Sequence, residues 1–399
     1  MKKIRFSLYF SCLTILCCAV FFMSACGQTK KSVIKKEYNE NGDLIVYYDD
    51  ESSENLGSII KDGEDEQGLE FYSLSDGTYG VKGGRNCLSI SKIEIPVSYK
   101  NTPITKILDG AFYLDQNSTE FFKAKEIIIP DSITNIGESA FRDCRYLSKI
   151  TIPNKVTVIE EKTFAYCSLL TDITLPSSLL SIRESAFLNC DLLKSLTIPD
   201  GVVDIEDYAF SMCQSLKSIT IPSSVITLGE GVFAHCDSLS TINLPERTNI
   251  IPKYMFFGCK ELKGIIIPDN VKEIESNAFE YCESLKSISL PNLIKNIGAA
   301  AFKDCVSLKS IVLPQGITTI EGGAFYNCSS LKHITLPDSI ENILLNAFSK
   351  CVSLEYINYA GTLSLWQNIK KQEYNAETSW KTDVLPNCLV VCTDGTTLI

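Results

Sequence analysis

Seventeen cysteines and two histidines are the residues of this 399-residue chain that could act as nucleophiles or soft metal ligands. Ten of the cysteines, Cys144 to Cys351, follow one another at a constant step of 23 residues. Metal clusters need ligands that converge at short pairwise spacings such as Cys-x2-Cys, and this column has none. If each 23-residue unit stacks on the last, neighbouring Cβ atoms lie about 4.8 Å apart, beyond the roughly 3.5–4.5 Å a disulfide prefers. The column is therefore expected to hold buried free thiols serving as small apolar residues, with scattered disulfides or a metal as the alternatives. Cys388 and Cys392 can pair across a distorted strand or pack separately, and Cys87 has no evident partner. His235 and His333 stand at no spacing that joins a nucleophile to an orienting acid. Acidic residues recur in columns rather than as one pair, which suits a solvated face better than a glycosidase site. No catalytic residue, metal site or cofactor is expected.

Two outward columns are the binding candidates. One carries Thr151, Thr174, Thr197 and Thr220; beside it stand Lys194, Lys217, Lys263, Lys286, Lys309 and Lys332. Aligned lysines make a positive stripe suited to an acidic protein or glycan. The competing role is edge protection and solubility.

What must position these columns is a stack of coils. Ten prolines from Pro130 to Pro337 and ten phenylalanines from Phe141 to Phe348 share the 23-residue step, and a fixed period in this range marks a solenoid. In the coil that starts at Pro153, the alternation of Ile173 and Leu175 with Asp172 and Thr174 reads as a short strand. Val156–Ile159 reads as a second extended piece, and Glu161–Cys167 as one helical turn with an acid at its N-terminus. The expected fold class is an α/β solenoid of 23-residue coils with short parallel strands and one helical turn per coil. Proline ends each strand because it lacks the next ladder donor. The coil holding Glu246, Arg247, Thr248, Pro252 and Met255 departs from the pattern, so a local distortion is expected there.

The ends differ in character. Lys2, Lys3 and Arg5, an apolar run to Phe22 and the small residues Ser24 and Ala25 make residues 1–25 a signal peptide. Met23-Ser24-Ala25-Cys26 resembles a bacterial lipoprotein cleavage box, which implies lipid attachment at Cys26. Ordinary cleavage and an uncleaved anchor are the alternatives. Residues 26–68 read as an acidic flexible tether. Residues 69–129 read as an N-terminal cap and irregular first coil, with a hairpin turning at Asp76-Gly77. A ten-coil array over 130–353 and a C-terminal cap over 354–399 complete the chain; in the latter, Leu365, Trp366 and Ile369 suit an amphipathic turn. The net charge is −11, and residues 37–70 carry twelve acids against Lys61 alone. That segment should repel phosphate backbones, so nucleic acid is not an expected partner.

The unit Leu216–Val225, followed by Gly229 and by Phe233 through Cys236, resembles the BspA-type leucine-rich repeat. So do the end phrases Asp76-Gly77-Thr78-Tyr79 and Tyr359-Ala360-Gly361-Thr362 with Trp366. The resemblance implies a right-handed leucine-rich-repeat array in a bacterial surface or secreted protein. It also implies, for some members, adhesion to host matrix proteins such as fibronectin and fibrinogen. The expected partners are therefore a membrane, reached through the lipid, and an extracellular protein or glycan ligand of a monomeric chain on the outer face of a bacterial membrane. A secreted form is the alternative location, and a structural spacer or assembly component of the envelope the alternative role.

Overall fold

The computed structural model describes three strands within residues 33–58, then residues 60–114, 117–371 and 388–398. The signal segment 1–25 and Cys26 lie outside the described residues. Each regular coil supplies one strand to each of two parallel stacks. Asp172–Thr174 lies in register on Lys149–Thr151, pairing Ile150 with Ile173 and Thr151 with Thr174. Ser181–Ile182 lies on Val158–Ile159 in the second stack. Both pairings are offset by 23 residues, so the sequence period is the rise of one coil. Between the two strands the chain reverses at the proline, whose carbonyl accepts the amide three residues on: Val156 N donates to Pro153 O at 3.1 Å, and Leu179 N to Pro176 O at 3.1 Å.

Inward side chains form continuous ridges. The phenylalanines from Phe112 to Phe348 stack face to face with centroids 5.3–6.0 Å apart and planes within 20°. The ten cysteines of the column are buried and free, as are Cys87, Cys388 and Cys392.

The expected helical turn is corrected. Lys162 and Tyr166 have φ of 55° and 64°, and the equivalent pair in every regular coil is left-handed too. A left-handed residue every fourth position cannot belong to an α-helix. Instead, alternate amides point in different directions. Thr163, Ala165 and Cys167 donate to carbonyls three residues back, while Lys162, Phe164 and Tyr166 donate to Glu184, Ala186 and Leu188 of the next coil at 2.7–3.0 Å. The turn edge is thus a third hydrogen-bonded ladder between coils, which a helical turn would have forgone.

The acidic stretch contains strands. Within the expected tether, β1 (Val33–Tyr38), β2 (Asp43–Tyr48) and β3 (Ser53–Ser58) form an antiparallel meander. β4 (Ile60–Glu64) pairs with β5 (Leu69–Ser73), so the cap reaches back past residue 69. The run Asp43-Leu44-Ile45-Val46-Tyr47-Tyr48 has high strand propensity. In the cap, local pairing offsets the like charge: Lys61 meets Glu70 at 2.6 Å and Lys100 meets Asp62 at 2.9 Å. β5 forms the expected hairpin with β6 (Tyr79–Gly83). β6 then lies parallel to Thr102–Ile107, which carries the second stack onward to Asn135–Ile136.

At the far end Tyr356–Tyr359, Leu389–Cys392 and Gly395–Leu398 close the first stack, the last strand running antiparallel. A single helical turn, α1 (Leu363–Asn368), is capped by Thr362, whose hydroxyl accepts from Leu365 N. It buries Trp366 and Ile369, whereas Leu365 faces outward at 48% exposure.

Candidate binding surface

The strand stacks place the two expected columns on one outer face. All six lysines are exposed, and their backbones form consecutive rungs: Lys217 N to Lys194 O (3.1 Å), Lys286 N to Lys263 O (3.3 Å), Lys309 N to Lys286 O (3.2 Å) and Lys332 N to Lys309 O (2.9 Å). Ser240 interrupts the column after Lys217. Lys332 pairs with Glu355 at 3.0 Å. Among the described residues, Lys194, Lys217, Lys263, Lys286 and Lys309 have no carboxylate within ion-pair distance. Neighbouring coils hold these like charges one strand spacing apart, about 4.8 Å at the backbone. An uncompensated cationic stripe is the result.

Thr151 and Thr174 face each other across one strand pair, and Thr197 and Thr220 across another. All four are exposed. The ladder lapses between Asp172–Thr174 and Ser195–Thr197, so the four do not form one unbroken rail. Beyond Asn243 the same column alternates, with Ile266 84% and Val312 63% exposed between Ser289 and Thr335.

The irregular coil breaks both stacks. The second stack stops between Thr227–Leu228 and Ile250–Ile251. Gly229 N makes a rung to Ile205 O at 2.9 Å, and Pro252, its equivalent one coil on, has no amide to offer. The first stack dwindles to one bridge between Ile266 and Ser289, after Gly264. The expected distortion therefore lies where the proline and the glycine interrupt the rungs, while the turns between them keep their left-handed pair, Tyr254 and Gly258.

On the turn edge of this coil sits a cluster that column-by-column reading of the sequence does not show. Phe257 meets His235 at 4.9 Å, Tyr281 at 5.5 Å and Tyr254 at 5.8 Å, all edge to face. The four rings come from three columns and three coils, so no single period assembles them. Gly258 leaves room for the His235 ring: a Cβ there would approach Nδ1 to 2.8 Å.

The acid expected at the start of each turn has another task. Asp207 Oδ1 accepts from Glu230 N at 2.7 Å, and its neighbour Glu206 accepts at Oε2 from Glu184 N at 3.2 Å, so carboxylates of one coil bind amides of adjacent coils. Arg183 draws together Glu206 and Asp204. Burial holds the Glu160 carboxyl above its usual range despite the nearby Arg183, and burial together with Glu161 does the same for Glu184. His333 does not meet a nucleophile; it stacks on Tyr356 at 4.1 Å. Among the described residues, no three His, Cys, Asp or Glu side chains converge as a metal site.

A family model for the BspA type leucine rich repeat region matches residues 85–197, 181–309 and 249–377. No functionally curated protein matches the chain. Among solved structures, a leucine rich cell surface protein from Faecalibacterium prausnitzii is 28% identical, with a TM-score of 0.48 over 78% of this chain and 98% of that one. A leucine-rich repeat protein from Bacteroides ovatus is also 28% identical, with a TM-score of 0.45 over 78% and 96%. The pneumococcal vaccine antigen PcpA is 19% identical, with a TM-score of 0.49 over 79% and 96%. With the model spanning nearly the whole coil array, and the ridges, rungs and period in place, the chain belongs to the BspA type leucine rich repeat family.

Proposed function

We propose that this protein is a binding module held at a bacterial surface by lipid on Cys26, and that its strand face captures an acidic extracellular macromolecule, a host matrix protein or a glycan, in the manner of an adhesin. The observation that carries the reading is the stripe of five exposed lysines that have no ion-pair partner among the described residues. Keeping like charges one coil apart has an electrostatic cost, and a ligand of opposite sign relieves it. Thr151, Thr174, Thr197 and Thr220 supply hydroxyls beside or in line with the stripe. The basic, apolar start and the Met23–Cys26 box support the lipid and the outward location. The ordered array acts as a scaffold, without catalysis or cofactor.

The test is binding of the full chain to immobilised matrix proteins and acidic glycans at rising salt. Binding should weaken steeply with salt and fall at least about tenfold in a Lys217→Glu, Lys286→Glu, Lys309→Glu variant that melts like the parent. Salt-independent binding, or full retention by the variant, would remove the stripe from the function. Crosslinking on intact cells that captures only the cell's own envelope proteins would replace adhesion with a spacer or assembly role.

A further inference from the structure

At the N-terminal mouth of the solenoid the repeat symmetry fails, and a cavity of about 250 Å³ opens between the first coils and the insert that follows Phe112. Two guanidinium groups line it. Arg142 lies between two aromatic rings, 4.8 Å from the Tyr113 centroid and 5.9 Å from that of Tyr166. Its nearest carboxylate oxygen, on Asp143, is 3.9 Å from Nε, and Nε is buried without a hydrogen-bond partner. Arg145 rests on Phe121 at 4.0 Å, and its Nε and Nη2 donate to Asp143 Oδ1 at 3.1 and 3.0 Å. Glu120 and Tyr166 complete the wall.

The next four coils put Ala165, Leu188, Ser211 and Ala234 where Arg142 stands, and the first of them puts Ser168 where Arg145 stands. Farther along, Lys303 in the Arg142 column also lies against two rings, Tyr281 and Tyr326, but its ammonium is taken by Glu280 at 2.6 Å, and Lys260 in the Arg145 column is taken by Asp237 at 2.8 Å. The aromatic rings contact the Arg142 guanidinium without using its hydrogen-bonding capacity. A planar, oriented guanidinium with donors to spare matches the two oxygens of a carboxylate. Arg145 engages Asp143, and Glu120 lies 3.9 Å from Arg85, so Arg142 is the guanidinium left to meet one carboxylate; a phosphate dianion would bring a second negative charge beside Asp143 and Glu120. Glu120 and the free face of Asp143 can accept from hydroxyls, and the aromatic walls suit the apolar face of a pyranose ring.

We propose that this recess binds one carboxylate-bearing sugar residue, a uronic or sialic acid at the end of a glycan, with Arg142 gripping the carboxylate. The proposal deepens the binding reading above by naming a ligand class, and it rests on that reading for its biological setting. Its chemistry is tested apart from the lysine stripe.

The experiment is isothermal titration of the full chain with D-glucuronic acid, N-acetylneuraminic acid, D-glucose, L-glutamate and inorganic phosphate. At least one sugar acid should bind saturably, at least about tenfold more tightly than glucose, glutamate or phosphate. Arg142→Gln should abolish that preference. Arg142→Lys keeps the charge and loses the fork, and should weaken binding at least about tenfold while melting like the parent. The Lys217→Glu, Lys286→Glu, Lys309→Glu variant should bind the sugar acid unchanged. Absence of saturable sugar-acid binding, equal binding by Arg142→Lys or Arg142→Gln, or a preference for glutamate or phosphate would each overturn the assignment. If macromolecular binding through the stripe persists in that event, the recess alone has lost its role.

Discussion

Two residues in each of ten coils hold φ in the left-handed region, and seventeen of these twenty are not glycine. That conformation costs an L-residue about 1–2 kcal/mol, and glycine largely escapes it at a smaller entropic cost. The strain persists because the amide of the left-handed residue donates to the next coil while the carbonyl just before it accepts from the preceding one, as in Lys162 N to Glu184 O and Ser139 N to Glu161 O. Ala300, at φ 55° and half-buried, loses nothing but a methyl group when changed. Ala300→Gly is expected to stabilise by about 0.5–1 kcal/mol, read from the denaturant midpoint; a destabilised variant would mean the strain is not released there. Glu160 makes the opposite kind of test. Its folded carboxyl titrates above the ordinary 4.5 because it is half-buried. An acid raised on folding lowers stability at neutral pH, and stability returns as pH falls through the folded value, completely below 4.5. Glu160→Gln should therefore melt higher than the parent at pH 7 and equal to it near about pH 4. Equal melting at both pH values would show that the carboxylate is not disfavoured by the fold.

The coil edge explains why its third column is cysteine. Phe164 O accepts the amide of Cys167 from its own coil and, at 3.3 Å, the thiol of Cys190 from the next. The same bond recurs up the array, Cys213 to Phe187 at 3.2 Å and Cys236 to Phe210 at 3.2 Å. Alanine would leave a gap and that lone pair unmet, while a larger apolar residue would overpack the ridge. Burial raises the thiols of Cys144, Cys167 and Cys351, Cys351 to about 12 and the other two further, so thiolate is scarce at these positions. Cys388 is pushed up to about 11, also by burial. Cys392 is the least enclosed of the described cysteines, at 9% exposure. Site-by-site mass spectrometry after alkylation of the native protein at pH 8 should find Cys392 modified first, and Cys144 to Cys351 protected until denaturant is added. Ladder cysteines reacting as fast as Cys392 would contradict the packing described here.

At the scale of the whole molecule, the array is a one-dimensional stack whose coils touch only their neighbours. The phenylalanine ridge is its longest continuous contact, and Phe233 sits midway, between Phe210 at 5.9 Å and Phe256 at 6.0 Å. These are the widest separations in the ridge, beside the coil whose rungs Pro252 interrupts. Phe233→Ala is expected to cost about 3–5 kcal/mol and to divide unfolding into two transitions, because the weakest interface is made weaker still. A single transition shifted as a block would mean that coupling reaches farther than one coil.

The period, the inward Phe and Cys columns, the outward Lys and Thr columns and the hairpin at Asp76-Gly77 were all legible in the sequence, because each is a local pattern repeated at fixed spacing. The helical reading of Glu161–Cys167 was not, since Phe164 and Cys167 satisfy helical spacing and tight-turn spacing alike; only the neighbouring coil's carbonyls reveal where the amides go. Asn41-Gly42, just ahead of the apolar run Leu44–Tyr48, was a hairpin signal for part of the acidic stretch, overshadowed by its charge. The ring cluster around Phe257 and the paired guanidiniums at the mouth lay beyond any periodic reading. Their members come from different columns, or from an insert with no period, and only stacking sets them side by side. Repetition along the chain determined the scaffold; contact between successive coils decided where the scaffold stops being uniform.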